Sequence, residues 1–491
     1  MIVFQVSREF SPYAEAGGMK EVVTGLGITY ANSDIDSYVF IPCYGFINKN
    51  GLEKLASFYI FLGLDKIKIT PYFTIYKGVN LYLFDYSFVA NKSSVYTYIE
   101  ADESISTNFK RGFGFIDNDE INLTLQMAFI EFSTKYLPSP DVINLHDGHT
   151  GLIPGIVKSK KSYKKYFKDV KFFFTIHNAG VIYHQRISYN KMRRLKIIKN
   201  SYLKKAIVNK EVDPIHLASI FSTPITVSPF YASEIMNLVH EESSGDFGAF
   251  CRKNKIIIQG ITNGININRF EDVGIKGLPS REEKLVNKLT ILEEIKSLSN
   301  LKVWGRVSLG ASRPLFLFQN RITEQKGVDN LILGIRASIK LGGDSDFIVM
   351  GEGEARFEEE LKDLSLEFPD NFCYVQGYHE SIALKLFLAS DFFMLTSKWE
   401  PCGLTDFEAQ LVGSIPIVHR TGGLQKVLND ETGYLYNTID ELIFVIKECE
   451  RMYSDMPEHL VQINITAFNE IINKYTWEKV VKKKYLPLFY G

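Results

Sequence analysis

The chain has 491 residues, and its 56 lysines and arginines nearly balance its 57 aspartates and glutamates, giving a formal net charge of −1. Because such a chain has no net field to gather a polyanion, nucleic acid and an anionic membrane surface are disfavoured as partners. The length predicts two or three domains, each with its own core.

The five cysteines are scattered and show no CxxC or metal spacing, which is typical of cytosolic thiols. The chain has neither a basic start followed by a long apolar stretch nor an apolar run of about 18 residues. We therefore expect a cytoplasmic protein without a membrane segment.

Short apolar runs alternate with helical patterns, which indicates βα units and parallel sheets. In chain order, the predicted strands are 2–6, 37–41, 142–145, 171–176, 225–227, 315–318, 347–350, 372–375, 392–395 and 415–418. Helices are predicted between them, for example at 328–340 and 356–366. A charged surface helix is predicted from Ser280, with a capping box between Ser280 and Glu283. The simplest account is two doubly wound α/β domains that join near residue 258.

Two glycines, Gly17 and Gly18, follow the first predicted strand and precede an amphipathic run. Such a turn exposes the first amides of a helix as anion ligands. The pattern GGMKEVV returns as GGLQKVL at Gly422. Any strand, glycine turn and helix would look alike, and that is one interpretation. The other is two helix N-termini that face one interdomain cleft.

Polar residues follow two consecutive predicted strands of the first half. His146, Asp147 and His149 follow one strand, and His177 and Asn178 follow the next. A single histidine after a strand is usually a loop residue, whereas two polar clusters favour a surface that binds sugar hydroxyls. The histidines lack zincin spacing, so we expect no metal.

In the second half, Arg321 and Lys326 lie five residues apart just after a predicted strand. Two such cations are either solvated surface charges or a clamp for a diphosphate. A planar guanidinium and a point charge together complement a phosphoryl leaving group without a metal ion.

The stretch SKWEPCGLTDFEAQ, residues 397–410, is the most informative one. It places Glu400 after a strand and before a helix that we expect to begin at Leu404 and Thr405. The amides of Gly403, Leu404 and Thr405 would meet a phosphate while Glu400 reaches sugar hydroxyls. The eight-residue spacing to Glu408 is weak by itself.

Nine motifs carry a resemblance to a family: GGMKEVV, HDGHTGLIP, FTIHNAG, TVSPFYASEI, GITNGIN, NRITEQKGVDNLI, QGYHE, SKWEPCGLTDFEA and HRTGGL. Over nearly its whole length the chain resembles the bacterial glycogen and plant starch synthases, which are retaining glucosyltransferases of the GT-B fold. The resemblance implies two Rossmann-like domains, 1–258 and 259–475, facing across a cleft, with a last helix at 476–491 crossing back to the first domain. It implies a nucleotide-glucose donor, usually ADP-glucose, and glycogen or another α-1,4-glucan as acceptor, with no cofactor.

The resemblance also implies roles for single residues. Arg321 and Lys326 match the diphosphate clamp, Glu400 matches the acid that holds the glucose ring, and His177 matches a histidine near the glucose 6-hydroxyl. These four are the predicted catalytic residues. The predicted donor-binding residues are Gly17, Gly18, Lys20, Glu21, Asn263, Tyr378, Cys402, Gly403, Leu404, Thr405 and Glu408. The predicted acceptor-side residues are Asp147, His149 and Asn178. Tyr378 matches a residue beside the nucleotide base, with simple packing as the alternative.

Three positions depart from the family pattern. Glu15 stands where the family has a lysine, Glu21 stands where it has an aspartate, and Gly148 stands where a tryptophan is usual. Our hypothesis is that Lys20 supplies the missing charge from the first turn of the helix. Two rival interpretations stay open: a GT-B transferase with another acceptor, and a glucan-binding or scaffold protein with lost or weak turnover.

Overall fold

The computed structural model describes residues 1–237, 244–267, 270, 277–296, 298, 301–308, 310 and 312–490. The chain divides into two compact units, residues 1–264 with 477–491 and residues 265–476. Within the described ranges, every helix is too short or too polar to cross a bilayer.

The first unit is an α/β unit. Its strands are β1 Ile2–Val6, β2 Asp36–Pro42, β3 Glu53–Lys54, β4 Phe58–Leu62, β5 Asp65–Tyr76, β6 Val79–Asp85, β7 Val142–His146, β8 Lys171–Ile176, β9 Ile187–Ser188, β10 Ile207–Val208, β11 Glu211–Val212, β12 Thr223–Thr226 and β13 Gln259–Gly260. Its α-helices include Met19–Ala31, Glu100–Glu103, Asn118–Tyr136, Ile153–Ser159, Lys161–Tyr166, Tyr189–Leu195, Asn200–Leu203, Pro214–Phe221, Pro229–Met236, Phe247–Asn254, Trp477–Val480 and Leu486–Tyr490. Shorter helical turns cover Gly148–Thr150, Val181–His184, Lys204–Ala206 and, as a π-helix, Val481–Tyr485.

The second unit is also α/β. Its strands are β14 Lys302–Val307, β15 Leu315–Gln319, β16 Asp346–Gly351, β17 Asn371–Gln376, β18 Phe392–Leu395, β19 Ile415–His419 and β20 Tyr434–Tyr436. Its α-helices include Arg281–Lys296, Val328–Lys340, Ala355–Glu367, Glu380–Ala389, Thr405–Leu411, Ile439–Asp455 and Pro457–Lys474, with 3-10 turns at Glu324–Lys326 and Gly422–Lys426.

The main sheet of the first unit is doubly wound. Its strand order is β13-β12-β8-β7-β1-β2-β6-β5-β3, and the strands from β13 to β6 are parallel. The strand order reverses between β1 and β7, so the loops after these two strands flank the switch point where open α/β sheets bind ligands.

The sheet of the second unit repeats this plan. Its order is β14-β17-β16-β15-β18-β19-β20, and β14 runs antiparallel to its neighbour whereas the other pairs of neighbours are parallel. The reversal falls between β15 and β18. A ligand site is therefore expected where these two strands end.

Residues 477–490 complete the core of the first unit. Trp477, Tyr485 and Phe489 belong to a buried cluster with Val22 and Leu26 of the first long helix. The helices at 477–490 therefore cover the N-terminal helix.

Three sequence-based expectations need correction. The junction lies after residue 264, because β13 pairs in parallel with β12 and keeps residues 259–264 in the first unit. The second glycine motif forms the short 3-10 helix Gly422–Lys426 and not the amphipathic α-helix that its likeness to the first motif predicts. The helix Arg281–Lys296 keeps its predicted capping box, but it buries Lys288 and Ile291 and is not simply a surface helix.

Candidate functional site

The ends of β15 and β18 lie side by side, because these strands are parallel neighbours. Lys326 follows β15, and Glu400 follows β18. The Lys326 ammonium lies 2.5 Å from Oε2 of Glu400, and the Ser397 hydroxyl donates to the same oxygen at 3.2 Å. Two residues to which the sequence assigns separate ligand groups thus form one ion pair in this structure.

The charge of Glu400 is maintained by its neighbours. Burial by itself raises the pKa of a carboxyl group, but the charge and hydrogen bond of Lys326 outweigh it and lower the pKa of Glu400. An ionised carboxylate only accepts hydrogen bonds, which suits it to sugar hydroxyls.

Gly327 permits the close approach of the two strand ends. Its φ is 65°, and a Cβ atom there would lie 1.9 Å from the carbonyl oxygen of Thr396. The Thr396 hydroxyl also donates to the carbonyl oxygen of Lys326 at 2.8 Å. Any larger residue at 327 would push the turn that carries Lys326 away from Glu400.

A buried lysine that the sequence analysis missed organises the turn at 402–404. The Lys426 ammonium donates to the carbonyl oxygens of Cys402 at 2.6 Å and Gly403 at 3.1 Å, and lies 2.8 Å from the Asp406 carboxylate. Because C=O and N–H point in opposite directions in a trans peptide, the amides of Gly403 and Leu404 point away from Lys426. This is the orientation that an anion-binding turn requires.

The second glycine motif carries this lysine and packs on the same turn. The Gly423 amide donates to the carbonyl oxygen of Glu400 at 2.8 Å, and a Cβ at Gly423 would lie 2.3 Å from Cα of Cys402. The repeated glycine pair was therefore the available signal, and its interpretation as a helix N-terminus concealed the role of Lys426.

The remaining predicted residues of this unit are spread more widely. Thr405 and Glu408 lie on the helix Thr405–Leu411. Arg321 is exposed, with Nη2 3.4 Å from Oε1 of Gln325. Tyr378 is 55% exposed in the turn after β17, two strands from β15 in the sheet order.

In the first unit, the glycine loop after β1 holds a buried carboxylate of its own. Glu9 Oε2 accepts from the amides of Gly17 at 2.8 Å and Ala16 at 3.2 Å, and Glu9 Oε1 accepts from the Tyr96 hydroxyl at 2.7 Å. Glu9 was not among the residues predicted from the sequence. The Gly17 amide, which was predicted to bind a donor anion, donates to this side chain in the structure.

Lys20 also has a partner within the loop. Its ammonium lies 3.4 Å from the Glu15 carboxylate, and Glu15 in turn accepts from the Ser11 hydroxyl. Gly18 caps the helix that begins at Met19 and carries Lys20 and Glu21 in its first turn. The cation that we assigned to the diphosphate is thus ion-paired with the very glutamate that departs from the family pattern.

The polar residues after β7 and β8 come together, because these strands are neighbours. Nδ1 of His146 lies 2.9 Å from Nε2 of His177, and Oδ1 of Asp147 accepts from the His177 amide at 2.7 Å. Burial lowers the pKa of His177 to about 3 and that of His146 well below its ordinary value, so both rings are neutral near pH 7.

Asp147 adopts an unusual backbone conformation in this group. Its φ of 53° and ψ of 179° lie in a region that costs non-glycine residues about 1–3 kcal/mol. Burial raises the pKa of its carboxyl group to about 8, although the amides of His177 and Asn178 oppose the shift. Within the part of the chain that the structure describes, its buried Oδ2 has no hydrogen-bond partner.

The other predicted polar residues of this unit, His149, Asn178 and Asn263, are also buried. The His149 ring stacks on Tyr96 with the ring centres 5.2 Å apart. The Asn178 side chain accepts from the Gly180 amide at 2.8 Å. Asn263 lies just before the end of the first segment of the unit, and its side-chain oxygen, like Nδ1 of His149, is buried with no partner among the described residues.

Gly148 is required by packing. A Cβ atom there would lie 2.5 Å from the carbonyl oxygens of both Tyr183 and His184. The tryptophan that the resemblance implies at this position does not fit this arrangement of the turn Val181–His184.

His184, Asp213 and His216 form the group among the described residues whose side chains lie close enough to share a metal ion. Nδ1 of His184 lies 2.6 Å from Asp213, and its Nε2 lies 3.0 Å from the carbonyl oxygen of Ala179. Both ring nitrogens of His184 therefore lie against oxygen atoms of the protein itself. Burial opposes ionisation of Asp213, but hydrogen bonds from His184 and Arg186 lower its pKa to about 2.

Comparison with known families decides the assignment. Residues 2–247 match the family described as the starch synthase catalytic domain. The chain belongs to this family. Residues 306–457 match glycosyl transferases group 1, so both units carry a glycosyltransferase signature. The predicted resemblance is confirmed, and the chain is a glycosyltransferase by family.

Curated relatives extend over the whole chain. A glycogen synthase of Flavobacterium johnsoniae is 27% identical over 509 aligned residues, which cover 100% of this chain and 98% of the relative. A glycogen synthase of Treponema denticola is 28% identical with the same two coverages.

Solved structures confirm the fold class. The catalytic domain of starch synthase IV from Arabidopsis thaliana, bound to ADP and acarbose, is similar with a TM-score of 0.80 at 21% identity. That match covers 100% of this chain and 98% of the other. A sucrose-phosphate synthase from Thermosynechococcus elongatus has a TM-score of 0.59 at 14% identity and covers 100% of this chain and 99% of its own. The predicted class of two doubly wound α/β domains, as in GT-B starch synthases, is confirmed.

Proposed function

We propose that this chain transfers glucose from a nucleotide-glucose, with ADP-glucose as the first donor to test, to the non-reducing end of an α-1,4-glucan with retention of configuration. The observation that carries the proposal is the ion pair of Lys326 and Glu400, which lies beside outward-pointing amides at the switch point of the second unit. The names of the glycogen synthase relatives support the acceptor class.

In this proposal the second unit holds the donor. Arg321, Lys326 and the amides of Gly403 to Thr405 stabilise the negative charge that develops on the diphosphate as it leaves. When the diphosphate binds, the Lys326 ammonium donates hydrogen bonds to both a phosphate oxygen and Glu400. Glu400 then accepts hydrogen bonds from the glucose hydroxyls, and Tyr378 offers an aromatic face to the base. The two cations supply the positive charge that a metal ion would otherwise provide, and the absence of a metal cofactor stays a prediction.

The first unit supplies the neutral histidine and the buried acid. His177 contacts the glucose 6-hydroxyl, and Asp147, His149 and Asn178 lie on the acceptor side. We infer a same-face route, because the polar groups assigned here bind hydroxyls or phosphate and leave no evident nucleophile for a double displacement. The departing diphosphate oxygen accepts the proton of the incoming 4-hydroxyl.

A donor panel tests the proposal. The protein is incubated with glycogen and ADP-, UDP- or GDP-glucose, and nucleotide release and product linkage are measured together. We expect transfer from ADP-glucose with new α-1,4 linkages, and a β-linked product would refute retention. Glu400→Gln should lower transfer about 100-fold, since losing a hydrogen-bonded charge costs about 3 kcal/mol.

Glu367→Gln is the matched control, because Glu367 also pairs with a lysine of the same unit, at 2.7 Å from Lys340, but on the surface. Its transfer rate should equal that of the wild type. Equal transfer rates for Glu400→Gln and Glu367→Gln would contradict the proposed role of Glu400 in binding the glucose hydroxyls.

A glucan-binding protein with weak turnover is the second candidate, and the pairing of Lys20 with Glu15 favours it. If this candidate holds, nucleotide release in the presence of glycogen is the same for the wild type and Glu400→Gln, while both still bind glycogen. If the transferase proposal holds, only the wild type releases nucleotide at a primer-dependent rate.

A further inference from the structure

A chain of hydrogen bonds runs from the first helix to His177. Gln5 Nε2 donates to the carbonyl oxygen of Val23 at 3.1 Å, and Gln5 Oε1 lies 3.2 Å from Nε2 of His146. Nδ1 of His146 then lies 2.9 Å from Nε2 of His177. Gln5 and His146 are fully buried, and neither is among the predicted catalytic, donor-binding or acceptor-side residues.

The carbonyl of Val23 determines which atom donates in each of these hydrogen bonds. A carbonyl oxygen only accepts, so the NH₂ group of Gln5 must face Val23 and its oxygen must face His146. The Nε2 atom of His146 therefore carries the proton that Gln5 accepts. An amide in the opposite orientation would place two oxygens against each other at Val23.

Because both rings are neutral, the donor and acceptor roles at His146 also determine those at His177. A neutral imidazole has one N–H and one lone pair, so protonated Nε2 leaves Nδ1 of His146 as an acceptor. The facing Nε2 of His177 must then donate. The lone pair of His177 is consequently on Nδ1, and no partner of this atom lies among the described residues. The lowered pKa values of both rings agree with one proton on each.

We propose that Gln5 and His146 are positioning residues that hold His177 in the Nε2–H tautomer, so that its Nδ1 accepts a hydrogen bond from a hydroxyl of the transferred glucosyl group. The inference rests on the proposed function for the identity of the ligand, whereas the tautomer itself does not depend on it. In this arrangement the sugar hydroxyl donates to His177, and its oxygen remains free to accept from other groups.

The tautomer is tested first in the wild-type protein without substrate. Nitrogen NMR of the protein labelled with ¹⁵N-histidine, with His177 assigned by its loss in His177→Gln, distinguishes protonated from unprotonated ring nitrogens. We expect a proton on Nε2 and none on Nδ1 of His177. A proton on Nδ1, or on both nitrogens, at pH 7 would overturn the proposal, whether or not the protein transfers glucose.

Two substitutions then test the cause. Gln5→Met keeps the size of the side chain but offers His146 no oxygen, and it should give His177 a mixture of tautomers. Gln5→Glu keeps an acceptor for His146, and burial keeps this carboxyl neutral so that it still donates to Val23; it should retain the Nε2–H form. An unchanged tautomer in Gln5→Met would show that Gln5 does not set it.

Gln126→Met is the matched control. Gln126 is about equally buried in the same unit, and its hydrogen bonds join it to the carbonyl of Asn122 and the amide of Leu152 rather than to a histidine. The loss of stability should resemble that of Gln5→Met, but the tautomer should not change. A comparable tautomer shift in Gln126→Met would show that the shift in Gln5→Met results from a general loss of stability, and it would contradict the role of Gln5.

Donor analogues test the use of the lone pair. A 6-fluoro group accepts hydrogen bonds but cannot donate, whereas a 6-deoxy group does neither. If His177 accepts from the 6-hydroxyl, wild-type kcat/KM should fall about tenfold for both analogues, as expected for one lost hydrogen bond. In Gln5→Met the fluoro donor should recover relative to the deoxy donor, while Gln126→Met should keep the wild-type ratio.

A wild-type enzyme that accepts the fluoro donor as well as the natural one would contradict the use of Nδ1 as an acceptor. Complete lack of transfer from any nucleotide-glucose would instead refute the proposed function, and the NMR result would still decide the tautomer. The two failures are therefore distinguishable.

Discussion

Glu15 and Lys20 illustrate how single residues of the glycine loop interact. Their charged groups lie 3.4 Å apart and both side chains are partly exposed. The positive charge of Lys20 is therefore partly offset by Glu15, which reduces its attraction for a diphosphate. A loop with a lysine at position 15 would carry two free cations instead.

We predict that Glu15→Lys lowers the KM for the nucleotide-glucose about fivefold and that Lys20→Ala raises it by a similar factor, because a partly exposed charge contributes about 1 kcal/mol. Steady-state kinetics with glycogen in excess measures both. An unchanged KM in Lys20→Ala would reject the role of this lysine.

Asp147 should make stability depend on pH. Its carboxyl has a pKa of about 8 in the folded protein against an ordinary value of 3.8, so the folded state binds more protons between these values. Stability therefore falls as pH rises through this window, by at most about 1.4 kcal/mol per pH unit. Asp147→Asn, which resembles the neutral acid, should lack this decrease.

Urea unfolding of the wild type and Asp147→Asn at pH 5, 6, 7 and 8 provides the measurement. The free energy of unfolding of Asp147→Asn minus that of the wild type should increase with each step in pH. Parallel curves over the four pH values would show that Asp147 ionises normally.

At the scale of elements, the turn at 402–404 depends on the ion pair of Lys426 and Asp406, both almost fully buried. Lys426→Met removes the donor to two carbonyl groups and leaves Asp406 buried without its cation. Loss of one partner of a buried pair costs about 3–5 kcal/mol, and we predict a loss of stability of this size.

Urea unfolding followed by circular dichroism measures the loss, and the double variant Lys426→Met with Asp406→Asn is the control. The double variant should recover part of the stability, because the unpaired charge is gone. A single variant within about 1 kcal/mol of the wild type would be incompatible with this role of Lys426.

The elements also show what the sequence can predict. All ten predicted strands are present, because continuous apolar runs mark strands that are buried on both faces. The strands of three or more residues that were not predicted are β4, β5, β6, β14 and β20. In β4 buried and exposed residues alternate, as in an antiparallel strand with one solvated face, and its apolar outer residues Tyr59 and Phe61 obscure the pattern.

The candidate site was predictable to the level of strand ends, and its pairings were not. Lys326 and Glu400 are 74 positions apart, and Lys426 reaches Cys402 across 24. The spacing of residues within a motif predicts local turns. Contacts between distant residues depend on the order of the strands in the sheet, which could not be predicted from the spacing. For the same reason Gln5 and Glu9 were not identified, and His146 was placed in a polar cluster without a role of its own.

At the scale of the whole molecule, the first unit is built from both ends of the chain. Trp477 packs so closely on the first helix that a Cβ at Gly25 would lie 2.1 Å from its indole nitrogen. The second unit is a continuous segment between these two parts. The last residues should therefore stabilise the first unit selectively.

We predict that Trp477→Ala destabilises the first unit by about 3–5 kcal/mol, the range for removing a buried aromatic side chain. Hydrogen exchange should accelerate in β7 and β8 but not in β15 and β16. Trp304→Ala is the control, because Trp304 is 37% exposed on β14 and should change little. Equal acceleration in both units would contradict a selective role.

If this chain is a transferase of the proposed kind, its second unit binds a diphosphate through the group that follows β15 and β18. Calorimetric titration of ADP into the wild type, Lys326→Met and the control Lys340→Met measures this directly. Lys340 also pairs with a glutamate of this unit, but on the surface. We predict that Lys326→Met weakens ADP binding about 100-fold, or about 2.7 kcal/mol, and that Lys340→Met binds like the wild type. Equal affinity for all three proteins would contradict the central claim.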